Sequence, residues 1–200
     1  MLPNHLLIAS NNPDKIAEIR SLLGGLKLEI YSLTDFPELP PTVEDQPTIQ
    51  GNAMKKALEA AQATGMLCLA DDTGFFIDAL DGAPGVFAAR FAGEGCSYKD
   101  NRDKVLEALQ DKDQRTAEFR TCCALAAPDG IAALTEGVMP GSIAYEELGE
   151  NGFGYDSIFL PQGFEITYAQ MSDEHKNSIS HRAKALHKML PLLKDIISSL

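Results

Sequence analysis

Residues 6–25 read LLIASNNPDKIAEIRSLLGG, and the order of elements that they encode indicates the fold class. The first four residues are apolar, as in a short buried strand, and Asn12-Pro13 supplies an N-cap followed by proline at the first helical position. Apolar residues then recur at helical spacing up to Leu23, after which Gly24-Gly25 ends the helix. The stretch therefore predicts a strand, a turn and a helix in immediate succession.

Strands and helices alternate along the rest of the chain. Hydrophobic periodicity predicts strands over 28–31, 66–70, 117–127 and 131–138, and helices over 48–64, about 103–109 and from 180 onwards. Pro128-Asp129-Gly130 is typical of a hairpin turn between neighbouring strands. Because no internal repeat and no long linker interrupts this pattern, the sequence predicts one α/β domain over residues 1–200, built on a mixed sheet.

Composition limits the possible functions. The chain has 200 residues and a mass of 21.6 kDa, and its 17 basic against 29 acidic side chains give a formal net charge of −12. Such a surface repels nucleic acid and anionic lipid, so we expect neither partner. No apolar run approaches the roughly 18 residues of a membrane span, and the N-terminal residues lack a signal-peptide pattern, so we expect a cytoplasmic protein.

The four cysteines are Cys68, Cys96, Cys122 and Cys123, and they form no C-x-x-C pair. The adjacent pair Cys122-Cys123 is too constrained to bridge easily. The sequence therefore favours buried, reduced thiols over a disulfide framework or a zinc site.

The turn Ser10–Lys15 is a candidate anion site. Backbone N–H groups at a helix start favour an anion, and Lys15 in the first turn opposes the helix dipole by about 0.3–1 kcal/mol unless negative charge lies nearby. A bound phosphate would supply that charge. The alternative is a solvated surface turn in which Asp14 and Glu18 screen Lys15.

Two acidic pairs are candidate metal ligands. Asp71-Asp72 follows the predicted strand over 66–70, and sites of open α/β sheets lie at the carboxyl ends of strands. Adjacent carboxylates repel each other, which favours a hard cation such as Mg²⁺ between them and a substrate phosphate. Glu44-Asp45 is the second pair. Either pair could instead form a solvated turn that caps a helix.

Further candidates lie in the last quarter of the chain. The segment Gly149–Asp156 contains three glycines, which allow the backbone to approach a flat ligand. Phe153 in this segment could stack on a base for about 1–3 kcal/mol, or it could fill a gap in the core.

Three basic residues surround the start of the last predicted helix: Lys176, His181 and Arg182. They indicate a second anion or carbonyl site, or else a basic surface stretch that offsets nearby acidic residues.

The common nucleotide and hydrolase motifs are absent. The sequence has no P-loop, no G-x-G-x-x-G, no G-x-S-x-G elbow and no H-E-x-x-H. What remains is an acidic chain with cations at helix starts and carboxylates after a predicted strand. This combination fits a metal-bound polyphosphate.

Five short segments between residues 10 and 182 follow one another along the chain: Ser10–Lys15 with Glu18-Ile19, Ala70–Gly74, Gly82–Val86, Gly152–Asp156 and Ser178–Arg182. Together they resemble the inosine/xanthosine triphosphate pyrophosphatase family. The resemblance implies a long curved mixed β-sheet with flanking helices that form two lobes around a central cleft, and a homodimer. It also implies hydrolysis of ITP, dITP and XTP to the monophosphate and pyrophosphate with Mg²⁺ as cofactor, which cleanses the nucleotide pool.

The resemblance also assigns roles to single residues. The triphosphate would be bound by Ser10, Asn11, Asn12, Pro13, Asp14, Lys15, Lys56 and Thr73. The base and its adjoining groups would be bound by Phe153, Gly154, Tyr155, Asp156, Lys176, His181 and Arg182. Glu44 and Asp72 would bind Mg²⁺, with Asp45 as the alternative to Glu44. Asp72 would also accept the proton of the attacking water, while Lys15 and Lys56 orient the phosphates.

Three positions depart from the family's pattern. Asn11 stands where Gly is common, Thr73 where Ser is common, and Ser157 where Pro often follows the Tyr-Asp pair. Thr73 keeps the hydroxyl, and Asn tolerates positive φ better than most residues, so we expect phosphate binding to survive. Two other functions stay open: a Mg²⁺-dependent pyrophosphatase for another modified nucleotide, and a non-catalytic nucleotide-binding regulator.

Overall fold

A computed structural model describes residues 4–198, in which the chain forms seven strands and five α-helices. The strands are β1 His5–Ile8, β2 Glu29–Ser32, β3 Cys68–Ile77, β4 Pro84–Gly85, β5 Thr116–Ala127, β6 Gly130–Ile143 and β7 Phe159–Pro161. The helices are α1 Pro13–Leu23, α2 Ile49–Thr64, α3 Tyr98–Ala108, α4 Asp173–Ile179 and α5 His181–Ser198. The predicted domain limits at 1 and 200, and the end of the predicted last helix, lie outside the described residues.

The strands form one mixed sheet in the order β2-β1-β3-β5-β6-β7, with β4 paired to β3. Strand β1 pairs in parallel with both β2 and β3, whereas the β3–β4 and β6–β7 pairs are antiparallel. Parallel neighbours need a crossover connection, and α1 and α2 supply it between β1, β2 and β3. The predicted α/β class with a mixed sheet is confirmed. No helix within residues 4–198 is both long and apolar enough to cross a membrane.

Helix α1 begins as the sequence predicts. The Oδ1 atom of Asn12 accepts hydrogen bonds from the N–H groups of Asp14 at 3.0 Å and Lys15 at 3.3 Å. Pro13 occupies the first helical position, where its missing N–H costs nothing. This cap fixes the turn that precedes the helix, and with it the position of Lys15.

Other elements differ from the prediction. Strand β3 continues past residue 70 to Ile77, and α3 begins at Tyr98 instead of 103. The early start of α3 comes from a capping box, in which Ser97 and Asp100 bond reciprocally to each other's backbone N–H. The short elements β4, β7 and α4 were not predicted, because two to seven residues show too little periodicity to recognise.

The chain divides into two compact units. Unit 1 comprises the chain up to Asp72, the segment Thr121–Gly137 and the chain from Arg182 onwards, and unit 2 comprises Thr73–Arg120 and Val138–His181. Two units agree with the two lobes that the resemblance implies. The single-domain assignment and the central cleft stay predictions.

Each unit has its own core. In unit 1, apolar residues of β1, α1, β3, β5 and α5 pack together, among them Leu6, Ile19, Leu69, Leu125 and Leu186, all fully buried. The core of unit 2 is more aromatic: the Phe75 ring stacks on Phe119 at 4.3 Å between centroids. Large buried side chains of this kind supply most of the free energy that stabilises each unit.

Candidate active site

Asp71 and Asp72 lie inside β3, not at its carboxyl end as the sequence predicted. Successive side chains of a strand point to opposite faces, and the two carboxylates accordingly have different partners. Asp71 is contacted from α1 and α5, whereas Asp72 is contacted from α2. The repulsion expected of adjacent carboxylates is offset by Lys15 and Arg182 beside Asp71 and by Lys56 beside Asp72, so the strand continues through them.

The Asp71 carboxylate is buried between two cations. Its Oδ2 atom lies 3.3 Å from Lys15 Nζ, and it accepts hydrogen bonds from Arg182 Nε at 3.1 Å and Nη2 at 3.0 Å. The third nitrogen of the same guanidinium, Nη1, donates to Glu18. Lys15 is therefore not a solvated side chain screened by Glu18: it contacts Asp71, and Glu18 is paired with Arg182.

These contacts fix the charge of the group. Burial alone would raise the pKa of Asp71, but Lys15 and Arg182 outweigh it and hold the pKa of that carboxyl well below its usual range. Burial of Arg182 is likewise outweighed by Asp71 and Glu18, so the pKa of the guanidinium is raised. A fully buried guanidinium between two carboxylates keeps its charge because the ion pairs replace the lost hydration.

The second group lies around Lys56 of α2. Its Nζ atom donates to Glu44 Oε1 at 2.7 Å and to Asp72 Oδ1 at 2.8 Å. The other oxygen of Asp72 accepts a hydrogen bond from Asn52 Nδ2 at 3.3 Å. Asn52 lies one helical turn before Lys56, so both reach Asp72 from the same face of α2. One ammonium thus joins the two carboxylates that the resemblance assigns to a metal.

This donor set fits Mg²⁺. Glu44 and Asp72 direct an oxygen each at one cation, and Mg²⁺ in proteins commonly takes one or two carboxylates while water and substrate phosphates complete its shell. In the part of the chain that the structure covers, no three His, Cys, Asp or Glu side chains form a metal cluster. Asp45, the alternative ligand, instead pairs with Lys55 at 2.8 Å. The geometry favours Glu44.

The pKa values of Asp72 and Lys56 are both raised, for different reasons. Burial raises the pKa of Asp72, and the opposing effect of Lys56 does not cancel it. For Lys56, burial disfavours the charged form, but Asp72 and Glu44 outweigh it and the pKa of the ammonium rises. A carboxylate with a raised pKa is a stronger base than an ordinary aspartate.

The turn Ser10–Lys15 uses its own side chains to hold its backbone. Ser10 Oγ accepts a hydrogen bond from the N–H of Asn12 at 3.2 Å, and Asn12 Oδ1 occupies the N–H groups of Asp14 and Lys15. Asn11 and Pro13 are exposed. The loop is thus prefolded, and its cation, Lys15, is directed at Asp71. Thr73 lies partly buried in β3, next to Asp72.

In unit 2, the predicted base-binding loop is tied to α4. Asp156 Oδ2 accepts hydrogen bonds from the N–H of Phe153 at 2.8 Å and from Lys176 Nζ at 2.5 Å. The same ammonium lies 4.7 Å from the centroid of the Phe153 ring. Lys176 is 4% exposed, so it is not part of a basic surface stretch. Phe153 is partly buried and contacts a cation instead of filling the core.

Three other predicted side chains are buried. The Tyr155 ring packs against Phe75 and its hydroxyl donates to the carbonyl of Ala88 at 2.7 Å. His181 stacks on Phe119 at 4.5 Å. Arg182 belongs to the Asp71 group of unit 1. Direct contact of these three side chains with a base stays a prediction, whereas Phe153, Asp156 and Lys176 are brought together.

Sequence reasoning missed two residues of these groups. Asn52 carried a usable signal, because its spacing from Lys56 places both on one face of α2. Arg102 of α3 carried none: it contacts Gly154, which lies 52 residues further along the chain.

The fold and its charged groups define the class, a mixed-sheet α/β protein of two compact units with lysine–carboxylate pairs on its third strand. The chain belongs to the Ham1 family, whose sequence profile matches residues 6–192. It is 45% identical to the dITP/XTP pyrophosphatase of Desulforamulus reducens over 96% of both chains. It is 43% identical to the enzyme of the same name from Elusimicrobium minutum, covering 94% of this chain and 99% of that one.

Solved structures agree with this assignment. A HAM1 protein from Coxiella burnetii superposes with a TM-score of 0.87 at 39% identity, covering 98% of this chain and all of that one. The Ham1 protein of Staphylococcus aureus superposes with a TM-score of 0.84 at 34% identity, covering 96% and 98% of the two chains. The family resemblance drawn from the five sequence segments is confirmed.

Proposed function

We propose that this protein hydrolyses the deaminated purine nucleoside triphosphates ITP, dITP and XTP to the monophosphate and pyrophosphate. The observation that carries the proposal is the position of Lys56 between Glu44 and Asp72, next to the Lys15–Asp71 pair on the same strand. Cations for phosphates and carboxylates for a metal thus lie at two consecutive residues of one strand, and Lys15 acts on Asp72 as Lys56 does on Asp71. The names of the relatives support the substrate class.

A polyphosphate needs more positive charge than the charged groups around Asp71 and Lys56 provide. The two groups contain three cations against four carboxylates: Lys15, Lys56 and Arg182 against Glu18, Glu44, Asp71 and Asp72. We therefore assign Mg²⁺ to Glu44 and Asp72. When bound, it supplies charge neutralisation for the phosphates and for the pyrophosphate that leaves.

The chain's own residues then have distinct tasks. Asp72 accepts a proton from the attacking water, a role that the family resemblance assigns to it. Lys15 and Lys56 bind and orient the phosphates, and the prefolded turn Ser10–Asp14 with the Thr73 hydroxyl lines the same end of the substrate. Arg182 holds Asp71 in place and so fixes the position of Lys15.

Base recognition is assigned to unit 2. Phe153 would stack on the base, and Lys176, held by Asp156, offers a donor for the 6-oxo group of hypoxanthine or xanthine. Gly154, Tyr155 and His181 complete the set carried over from the family. In adenine an amino group replaces the 6-oxo group, which would leave two donors facing each other. We expect kcat/KM for ATP to be at least about 100-fold below that for ITP.

The proposal also covers the oligomeric state of the protein, its location and its partners. We propose a homodimer, on the family resemblance alone, and a cytoplasmic location, where the nucleotide pool lies. The net charge of −12 supports action on free nucleotides and not on nucleic acid, because like charges repel at a phosphate backbone.

One assay tests the proposal against its alternatives. Pyrophosphate release is measured on ITP, XTP, dITP, GTP, ATP and dUTP, with and without Mg²⁺. Metal-dependent release from the first three, with slower release from GTP because its 2-amino group finds no partner, supports the proposal. Preference for dUTP would indicate another modified nucleotide, and binding without any release would indicate a non-catalytic regulator.

A further inference from the structure

The predicted base-binding loop is held from outside by α3. Arg102 of this helix donates from Nη1 to the carbonyl oxygen of Gly154 at 2.9 Å. The Tyr98 ring, one turn earlier on the helix, lies 6.0 Å from the Phe153 ring. Two successive turns of α3 therefore contact two successive residues of the loop.

The guanidinium of Arg102 is itself fixed. Its Nε donates to Glu147 Oε2 at 2.8 Å, and the same oxygen accepts a hydrogen bond from Ser157 Oγ at 2.9 Å. Ser157 directly follows the last residue of the loop, so Glu147 links Arg102 to the C-terminal end of the loop. The two bonds come from two nitrogens, Nε and Nη1, which the rigid planar guanidinium holds apart, whereas an ammonium has all its donors on one nitrogen.

The loop needs such support. Gly152 and Gly154 have φ angles of +72° and +62°, in the region that glycine adopts most readily, and two glycines around one aromatic residue leave that residue poorly constrained by its own backbone. Asp156 and Lys176 hold the Phe153 side of the loop. Arg102 holds the Gly154 carbonyl, on the other side of Phe153.

We propose that Arg102, held by Glu147, is a positioning residue for base recognition. It touches neither the phosphate-binding groups nor Asp72, and it acts by fixing the backbone carbonyl of Gly154, the residue next to Phe153. The inference rests on the proposed function, because it assigns the base to this loop. Loss of the Arg102 side chain should weaken the binding of a ligand that has a purine base and leave the binding of a bare polyphosphate unchanged.

The test compares Arg102→Lys and Arg102→Ala with Lys104→Met as a matched control. Lys104 lies on the same helix, where its ammonium donates to the carbonyl of Phe91 and not to the loop. Four quantities are measured: kcat for ITP, KM for ITP, the inhibition constant of inorganic tripolyphosphate, and the calorimetric affinity for inosine monophosphate. Glu147→Gln provides a second route to the same effect, and thermal unfolding checks that each variant folds.

Arg102→Ala should raise KM for ITP and weaken inosine monophosphate binding about tenfold, with kcat and tripolyphosphate inhibition within about twofold of the unmodified protein. Arg102→Lys should fall between, because the ammonium carries all its donors on one nitrogen, whereas Arg102 reaches its two acceptors from two separate nitrogens. Unchanged nucleotide binding, or an equal loss of tripolyphosphate binding, would overturn the inference. Absence of ITP hydrolysis in the unmodified protein would instead refute the proposed function, and the calorimetric comparison would still decide the role of Arg102.

Discussion

The ammonium of Lys56 lies 2.7 Å from Glu44 Oε1 and 2.8 Å from Asp72 Oδ1, the two carboxylates that would hold the metal. A lysine thus provides the positive charge at the point where the proposed ligands converge. A divalent cation at that point must displace this contact. Metal affinity should therefore depend on whether a triphosphate is present to take up the lysine.

Replacing Lys56 with Met should make the protein a better metal binder in the absence of nucleotide. The variant leaves two carboxylates without their shared cation, so Mn²⁺ should bind at least about tenfold more tightly than to the unmodified protein. Titration of free Mn²⁺ by electron paramagnetic resonance measures this. Lys55→Met is the control, because Lys55 pairs with Asp45. Equal affinities in all three proteins would contradict the assignment of Glu44 and Asp72.

The Asp71–Arg182 pair should be important for stability. Replacing Asp71 with Asn removes the buried carboxylate that Lys15 contacts and leaves Arg182 paired with Glu18, so the free energy of unfolding should fall by about 3–5 kcal/mol. Chemical denaturation measures the change. Asp103→Asn, which breaks the exposed pair with Lys99, should cost about 1 kcal/mol or less. Similar losses in the two variants would show that the buried pair has no special role.

Gly152 should not tolerate a side chain. A Cβ atom there would meet the Asp156 carboxylate, and the φ of +72° is unfavourable for alanine. Gly152→Ala should displace the Asp156–Lys176 pair and raise KM for ITP. Gly163→Ala is the control, since Gly163 has a φ of +89° but nothing lies within 4 Å of the added atom. If both variants show the same KM, the contact with Asp156 does not shape the loop.

Thiol reactivity should separate Cys96 from the other cysteines. Burial raises the pKa of Cys68 to about 12 and that of Cys122 to about 11, and burial also raises the pKa of Cys123. Since the thiolate is the reactive form, these three should react slowly at pH 8, while the partly exposed Cys96 reacts first. Labelling with a disulfide reagent should detect one fast thiol, absent in Cys96→Ser. Fast labelling of that variant would contradict the burial of the others.

The local parts of the fold could be predicted from the sequence. Asn12 and Pro13 mark the start of α1 because a cap and the first turn involve only near neighbours. Strand β3 could not be delimited in this way: Asp71-Asp72-Thr73-Gly74 has the composition of a turn. The strand continues because Arg182, 111 residues away, and Lys56 offset the two charges.

For the candidate site, too, single residues could be predicted from the sequence but the contacts between distant residues could not. Lys15, Lys56, Asp72 and Glu44 could be named from the five segments, but their pairing could not, because it depends on which face of β3 each carboxylate occupies. Arg182 shows the difference most clearly. The resemblance assigns it to the base and its adjoining groups, which stays a prediction, and no pattern in the sequence indicates that its guanidinium is buried between Asp71 and Glu18.

The proton-accepting role of Asp72 is tested most directly by pyrophosphate release from ITP with Asp72→Asn. The amide keeps the size of the side chain but cannot take a proton, so kcat should fall by about 10²–10⁴-fold while the protein stays folded. Asp78→Asn, an exposed aspartate just beyond the end of β3, is the control and should keep its activity. Near-normal turnover by Asp72→Asn would contradict the account.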